Sequence, residues 1–380
     1  MENLIYLDSH ATTPVAPEVL AAMLPYFTEQ YGNGNHKAGW KTSEALEHSR
    51  VQVSQLLGAR PSEITFTSGA TEAINLALLG LANANSERNH IVTQRTEHMA
   101  VLQCVEQLKS KGCEVTLLDV DEVGRIRLED LEAAVTENTL VVAIMLANNE
   151  IGTVQPIEAI GEICHKQGAK FFCDITQAVG WYPLKLRQSK IDLAALSAHK
   201  FYGPRGVGAL YVRKTQPRVN LEPLQFGGGQ ENALRPGTHN IPGIVGMGEA
   251  CAQMETKGEA IFACIQNLRD QLQNRLFEAI PEIQLNGCPQ ARHPGNLNVS
   301  LPGISGEELK ERMPNVIFST SSACSSASAK PSHVISAIQP DETLQKGAIR
   351  FGIGQYTTAE EIDQVARQLI QLARTDQKVN

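Results

Sequence analysis

Between residues 63 and 212 the chain repeats one pattern: an apolar run of strand length, a few small or polar residues, then a stretch with apolar positions at helical spacing. The runs 63–67, 90–93, 114–118, 140–146, 170–173, 192–196 and 207–212 read as strands. Residues 72–82, 100–109 and 156–167 read as helices between them. Such alternation predicts an α/β fold whose mainly parallel sheet is covered on both faces, with ligands collecting at the carboxyl ends of its strands. From about Gly243 the pattern changes to a long helix, 246–278, followed by short strands at 296–301, 316–318 and 348–352. The last segment predicts a helix with Thr358 as N-cap and Ile362, Val365, Leu369 and Leu372 on one face. The domain reading is an N-terminal segment 1–15 and a large domain 16–245, then a small C-terminal domain 246–380 against which the first segment packs.

Composition narrows the class. The 380 residues are 42% hydrophobic and 19% charged, the usage of a globular protein of enzyme size. Acidic residues exceed basic ones, 41 to 33, so no broad basic surface is available for nucleic acid or anionic membrane. The first residues lack the basic and apolar regions of a signal peptide, and no charge-free apolar run reaches the ~18 residues of a membrane span, so a cytoplasmic protein is expected. The eight cysteines are scattered without a CxxC pair, which signals neither a zinc site nor a disulfide framework. Seven of them, all but Cys324, are expected in the core.

Candidate chemistry sits where predicted strands end. After 63–67 comes Thr67-Ser68-Gly69-Ala70-Thr71-Glu72, where small residues open a helix. Its free N–H groups and dipole suit a phosphate, although Thr71 as a simple N-cap fits the same residues and no Walker loop is present. Two further strands end in Asp174-Ile175-Thr176-Gln177 and Ser197-Ala198-His199-Lys200. A lysine there can form a Schiff base with an aldehyde cofactor, and an aspartate can keep a pyridinium nitrogen protonated. Either residue alone also reads as a surface lysine or a capping aspartate; together they point to pyridoxal phosphate.

With these motifs, Leu7-Asp8-Ser9-His10-Ala11-Thr12-Thr13-Pro14, Thr96-Glu97-His98, Asn148-Asn149-Glu150-Ile151-Gly152 and the loop Ser322-Ala323-Cys324-Ser325-Ser326-Ala327-Ser328 make the chain resemble the cysteine desulfurases of the iron–sulfur-assembly type. That group falls within the class V pyridoxal-phosphate-dependent aminotransferases. The resemblance implies the aspartate-aminotransferase-like fold type I, with a large mainly parallel-sheet domain and a smaller α+β domain. It implies pyridoxal phosphate held covalently by Lys200, Asp174 on the ring nitrogen, His98 over the ring and Gln177 at the phenolic oxygen. Ala70, Thr71, Ser197 and His199 would hold the phosphate, joined by Thr238 of a neighbouring subunit in a homodimer. Arg350 and Asn149 would take the carboxylate of L-cysteine. Cys324 would accept the sulfur as a persulfide and pass it to an acceptor or iron–sulfur scaffold protein, leaving L-alanine. No metal site is expected within the chain alone, although Cys324 with ligands from a partner could hold one.

Three positions depart from the family's pattern: a short loop at 32–39, Ser321 where glycine is common, and Gln355 where arginine is frequent. Two other readings remain open at this point. One is a selenocysteine lyase or a cysteine C–S lyase of the same fold, from which the use of Cys324 would separate a desulfurase. The other is a non-catalytic sulfur carrier or regulatory partner, against which Lys200, Asp174 and His98 argue.

Overall fold

The computed structural model describes residues 4–32, 37–216, 218–320 and 332–376. Cys324 and Ser321 lie outside these described residues. Seven strands form the large sheet: β1 (Ile64–Thr67), β2 (His90–Gln94), β3 (Glu114–Leu118), β4 (Thr139–Ala143), β5 (Lys170–Asp174), β6 (Leu193–Ser197) and β7 (Gly208–Val212). Their order is β1-β7-β6-β5-β4-β2-β3, and β7 runs against both of its neighbours. The predicted limits differ by a residue at most, except that β4 ends at Ala143. Beyond that point Ile144 and Leu146 still donate to the Phe172 and Asp174 carbonyls, so the backbone stays extended to the end of the apolar run.

Side chains on a strand alternate between faces, and here both faces are covered. Val142, Ile144, Phe171 and Cys173 enter one core, while Val141, Ala143 and Phe172 enter the other. Helices α1 (Trp40–Leu56), α2 (Ala70–Asn83), α3 (Met99–Ser110) and α4 (Ile157–Lys166) contribute to these cores. Each fully buried Phe or Ile adds about 1.5–3 kcal/mol, so these central strands carry much of the fold's apolar burial.

The long helix α5 (Ile241–Ala279) begins before its predicted start. Asn240 caps it by accepting from the Gly243 N–H, and Pro242 occupies the first turn, where its missing N–H is not needed. A four-stranded antiparallel sheet follows: β8 (Gln284–Leu285), β9 (Asn296–Ser300), β10 (Ser319–Thr320) and β11 (Ala348–Gly352), in the order β10-β11-β9-β8. The last helix, α6 (Ala359–Asp376), carries a reciprocal cap in which Thr358 and Glu361 each accept the other's backbone N–H. The amino-terminal Ile5–Tyr6 pairs in parallel with Val316–Ile317, and Ser9 donates to the Gly352 carbonyl. This lays residues 8–13 between the two sheets.

The cysteine expectation needs correction at two positions. Cys104, Cys164, Cys173, Cys251 and Cys288 are buried, whereas Cys113 is half-buried and Cys264 is exposed. Cys264 lies on α5 off the stripe formed by the buried Phe262, Ile265, Leu272 and Leu276. No helix among the described residues is long and apolar enough to cross a membrane.

Candidate functional site

All strands of the large sheet except β7 point the same way, so their carboxyl ends meet along one edge. A cavity of about 640 Å³ opens there. It is lined by Ala70, Thr71, His98, Asn149, Asp174, Gln177, Ser197, His199, Lys200 and Arg350, together with Asp8 and His10 from the amino-terminal segment and Ser319 from β10. Of the candidate residues, Thr238 is exposed and not among this lining, and Cys324 lies outside the described residues.

The turn between β1 and α2 is built for close approach. Gly69, at φ +155°, caps α2 without a side-chain hydrogen bond, so the first-turn N–H groups of the helix are left for a ligand. Gly208 on β7 backs this turn: a Cβ there would lie 2.7 Å from Gly69 Cα and 2.5 Å from the Leu196 carbonyl oxygen. The N-cap of α2 is therefore Gly69 and not Thr71. Beside it, His199 Nδ1 meets Thr12 Oγ1 at 3.1 Å. Burial, with the Lys200 and Arg205 charges, lowers His199 to about 4, so its ring is neutral at neutral pH.

Lys200 follows β6 on a single 3₁₀ turn, Ala198–Lys200. Its Nζ donates to the carbonyls of His10 at 2.5 Å and Ala11 at 2.9 Å, which holds the amine over the cavity. Asp174, at the end of β5, accepts the Thr176 N–H at 2.9 Å through Oδ1. His98 caps α3 by accepting the Ala100 N–H at Nδ1, leaving Nε2 for other partners. Opposite, Arg350 on β11 donates to the Asn149 carbonyl at 2.8 Å, to Asp8 Oδ1 at 2.6 Å and to Ser319 Oγ at 2.8 Å. Its Nε is buried with no hydrogen-bond partner among the described residues.

Sequence reasoning gave no role to Asp8, His10, Glu97 or Ser319. Asp8 pairs with Arg350 across 342 residues, a distance no local spacing can reveal. Glu97 lies fully buried, its Oε1 accepting from Met145 N–H and Gln94 Nε2. Burial, with the Asp174 charge adding to it, outweighs these hydrogen bonds and raises Glu97 to about 8. At neutral pH it is a neutral acid behind the cavity.

A larger cavity, about 920 Å³, is lined by groups such as Trp181, Tyr182, Met254 and Phe262, away from the strand ends. Its Arg292 is already bonded to the Asn286 and Cys288 carbonyls, so the convergent polar groups belong to the smaller cavity. Among the described residues no group of three or more His, Cys, Asp or Glu side chains could hold a metal ion.

The smaller cavity fits a phosphorylated pyridine aldehyde by the chemistry of its donors: a helix start without a side-chain cap, a carboxylate at a strand end, and a lysine amine, all in its lining.

The aminotransferase class-V family matches residues 5–365. A protein named cysteine desulfurase IscS from Anaeromyxobacter sp. (strain Fw109-5) is 47% identical over 98% of this chain and 93% of its own length. The protein named cysteine desulfurase from Homo sapiens is 45% identical over 97% of this chain and 81% of its own. A solved structure described as a NifS-like protein superposes with a TM-score of 0.91 at 36% identity, covering 98% of this chain and all of the other. With the cavity at the strand ends, these likenesses establish that the chain belongs to the class-V aminotransferase family, among its cysteine desulfurases.

Proposed function

We propose that the protein is a cysteine desulfurase that converts L-cysteine to L-alanine, takes the sulfur on Cys324 as a persulfide, and hands it to an acceptor for iron–sulfur cluster assembly. The observation that carries this reading is the convergence of Lys200, Asp174, His98, Gln177, Arg350 and the start of α2 on one cavity. The family's cofactor is pyridoxal phosphate, which supplies an electron sink once bound.

The roles of the chain's own residues follow from their surroundings. The N–H groups at Ala70 and Thr71, with Ser197 and the neutral His199, would hold the phosphate. Asp174, fixed by the Thr176 N–H, would keep the ring nitrogen protonated, and Lys200 would hold the aldehyde carbon covalently. His98 would cover the ring face, with its Nδ1 engaged and Nε2 available to move a proton. Arg350 and Asn149 would orient the substrate carboxylate. Arg350 Nη2 is engaged by both Asp8 and Ser319, so a carboxylate bound through that nitrogen would compete with Asp8.

The Cys324 thiolate would attack the substrate sulfur. The new S–S bond forms as the C–S bond breaks, its electron pair stays with the substrate carbon, and a proton completes the methyl group of alanine. Cys324 as acceptor rests on the Ser/Ala-rich sequence around it. A homodimer completes the reading: Thr238 is exposed beyond Arg235, which pairs with Glu72 at the cavity edge at 2.7 Å, a location suited to serving a second subunit. The split into domains 16–245 and 246–380 is part of the same proposal, supported by the separate seven-stranded and four-stranded sheets. The seven free cysteines among the described residues suit a reducing cytoplasm.

The test is Cys324→Ser loaded with pyridoxal phosphate. It should bind cysteine, with a change in the visible spectrum, yet transfer no sulfur to a thiol acceptor; undiminished turnover would reject the persulfide route.

A further inference from the structure

We propose that His10 is a positioning residue: it fixes the side-chain amide of Gln177 so that an N–H, and not the amide oxygen, faces the cofactor cavity. The inference rests on the reading above, in which Gln177 meets the phenolic oxygen of pyridoxal phosphate, and adds the device that sets its polarity.

Two contacts determine the arrangement. Gln177 Nε2 lies 3.0 Å from the His10 carbonyl oxygen. A carbonyl can only accept, so the amide nitrogen must be on that side. The amide oxygen then falls 3.0 Å from His10 Nδ1, and because it too only accepts, Nδ1 must carry the ring proton. Backbone and side chain of one residue therefore clamp both ends of the other's amide. Turning the amide over would break both bonds and set carbonyl against carbonyl.

The clamp is held from behind. His10 is 4% exposed and packs edge-on against His293, with ring centroids 4.5 Å apart at 81°. Its Nε2 is buried and makes no well-formed hydrogen bond among the described residues, although the Gly295 backbone lies near enough to favour the ring's charged form slightly, so the tautomer is set by the Gln177 contacts. Burial and the Arg350 charge lower His10 to about 3, so the neutral ring persists across the working pH range. The same His10 carbonyl accepts from Lys200 Nζ.

With Oε1 and one amide hydrogen engaged, the remaining Gln177 N–H is what a cavity ligand meets. A donor at the phenolic oxygen draws charge from it and weakens its hold on the proton shared with the Lys200 nitrogen. Losing the donor therefore raises the pH at which the visible band of the loaded protein changes.

The test is a spectrophotometric pH titration, without cysteine, of the pyridoxal-phosphate-loaded wild type and of Gln177→Ala, His10→Leu, the double variant and His10→Asn. Asp8, Glu72, His98, Asp174, His199, Arg205 and Arg350 line the cavity, with Glu97 behind it, and are the same in every protein. Gln177→Ala should raise the midpoint by about half to one unit, the share of a charge-assisted hydrogen bond that differs between the two protonation states, and His10→Leu, which keeps the backbone carbonyl but loses the Nδ1–H clamp, should raise it in the same direction by less. The double variant should go no further than Gln177→Ala, and His10→Asn, which keeps an N–H near the position of Nδ1, should match the wild type. A wild-type midpoint in His10→Leu beside a raised one in Gln177→Ala overturns the proposal. An unmoved midpoint in Gln177→Ala overturns instead the placement of Gln177 at the phenolic oxygen, and this proposal with it. If His10→Leu does not fold, nitrogen-15 NMR of the wild-type protein decides: the ring resonances missing from His10→Asn must show a protonated Nδ1 and a bare Nε2, and the opposite tautomer overturns the clamp.

Discussion

Glu231 is the place to test how the loop at the cavity edge is held. It begins a run of three left-handed residues, Glu231, Asn232 and Ala233, at φ values of 50°, 57° and 63°. Each costs roughly 1–2 kcal/mol in an L-residue, so the turn needs compensation. The Glu231 carboxylate supplies it: it accepts from Arg50 Nη1 at 2.8 Å and Nη2 at 2.9 Å, from the Phe66 N–H at 2.9 Å and from His239 Nε2 at 2.6 Å. Burial alone would raise this carboxyl, but the His239 and Arg50 hydrogen bonds, with the Arg50 charge, bring it from 4.5 down to about 2. A drop of that size corresponds to about 3 kcal/mol, in line with the cost of breaking a buried ion pair. Because the folded value lies below the unfolded one, this stability is fully present above pH 4.5 and is lost as the pH falls toward 2. Glu231→Gln keeps the volume but removes the charge and turns an N–H donor toward other donors. Urea unfolding of wild type and variant, followed from pH 7 down to pH 3, should show the variant weaker by about 3 kcal/mol at pH 7 and the gap narrowing below pH 4.5. Equal stability at pH 7, or a gap that stays constant down to pH 3, would refute the reasoning.

Glu97 predicts the opposite sign. Its folded value, about 8, exceeds the 4.5 of the unfolded chain, so the wild type loses stability as the pH rises between the two. Glu97→Gln removes that dependence and should melt higher than the wild type at pH 8 and nearly level with it at pH 5; a variant Tm below wild type at pH 8 would contradict this. At the helix start, Gly208→Ala drives a methyl into the Gly69 backbone, and overpacking of ~1–3 kcal/mol should weaken cofactor retention about tenfold or more. Visible absorbance after dialysis reads this directly, and undiminished retention would show that the cradle is not where the phosphate is held.

Much of the fold was legible because the central strands are buried on both faces. Runs such as 171–174 and Leu193–Ser197 are continuous apolar stretches ending on a polar residue, and both features follow from a parallel sheet with its site at the strand ends. Lys200, Asp174 and the glycine turn before α2 announced themselves in this way. Asp8, Ser319 and His10 did not, since their roles depend on the amino-terminal segment lying between two sheets, and parallel pairing of Ile5–Tyr6 with Val316–Ile317 leaves no periodic trace in so short a run. Glu97 was hidden for another reason: in sequence it is an ordinary acidic residue before a helix, and only its burial behind Asp174 changes its charge. Cys264 misled in the reverse direction, because residue type suggested the core while helical phase placed it outside.

The most direct test of the central claim is mass spectrometry of the pyridoxal-phosphate-loaded protein after brief exposure to L-cysteine, followed by digestion. The account predicts one added sulfur atom on the peptide containing Cys324, removable by a thiol reductant and absent from Lys200→Ala. Turnover of cysteine to alanine and free sulfide with no sulfur added to that peptide would contradict it.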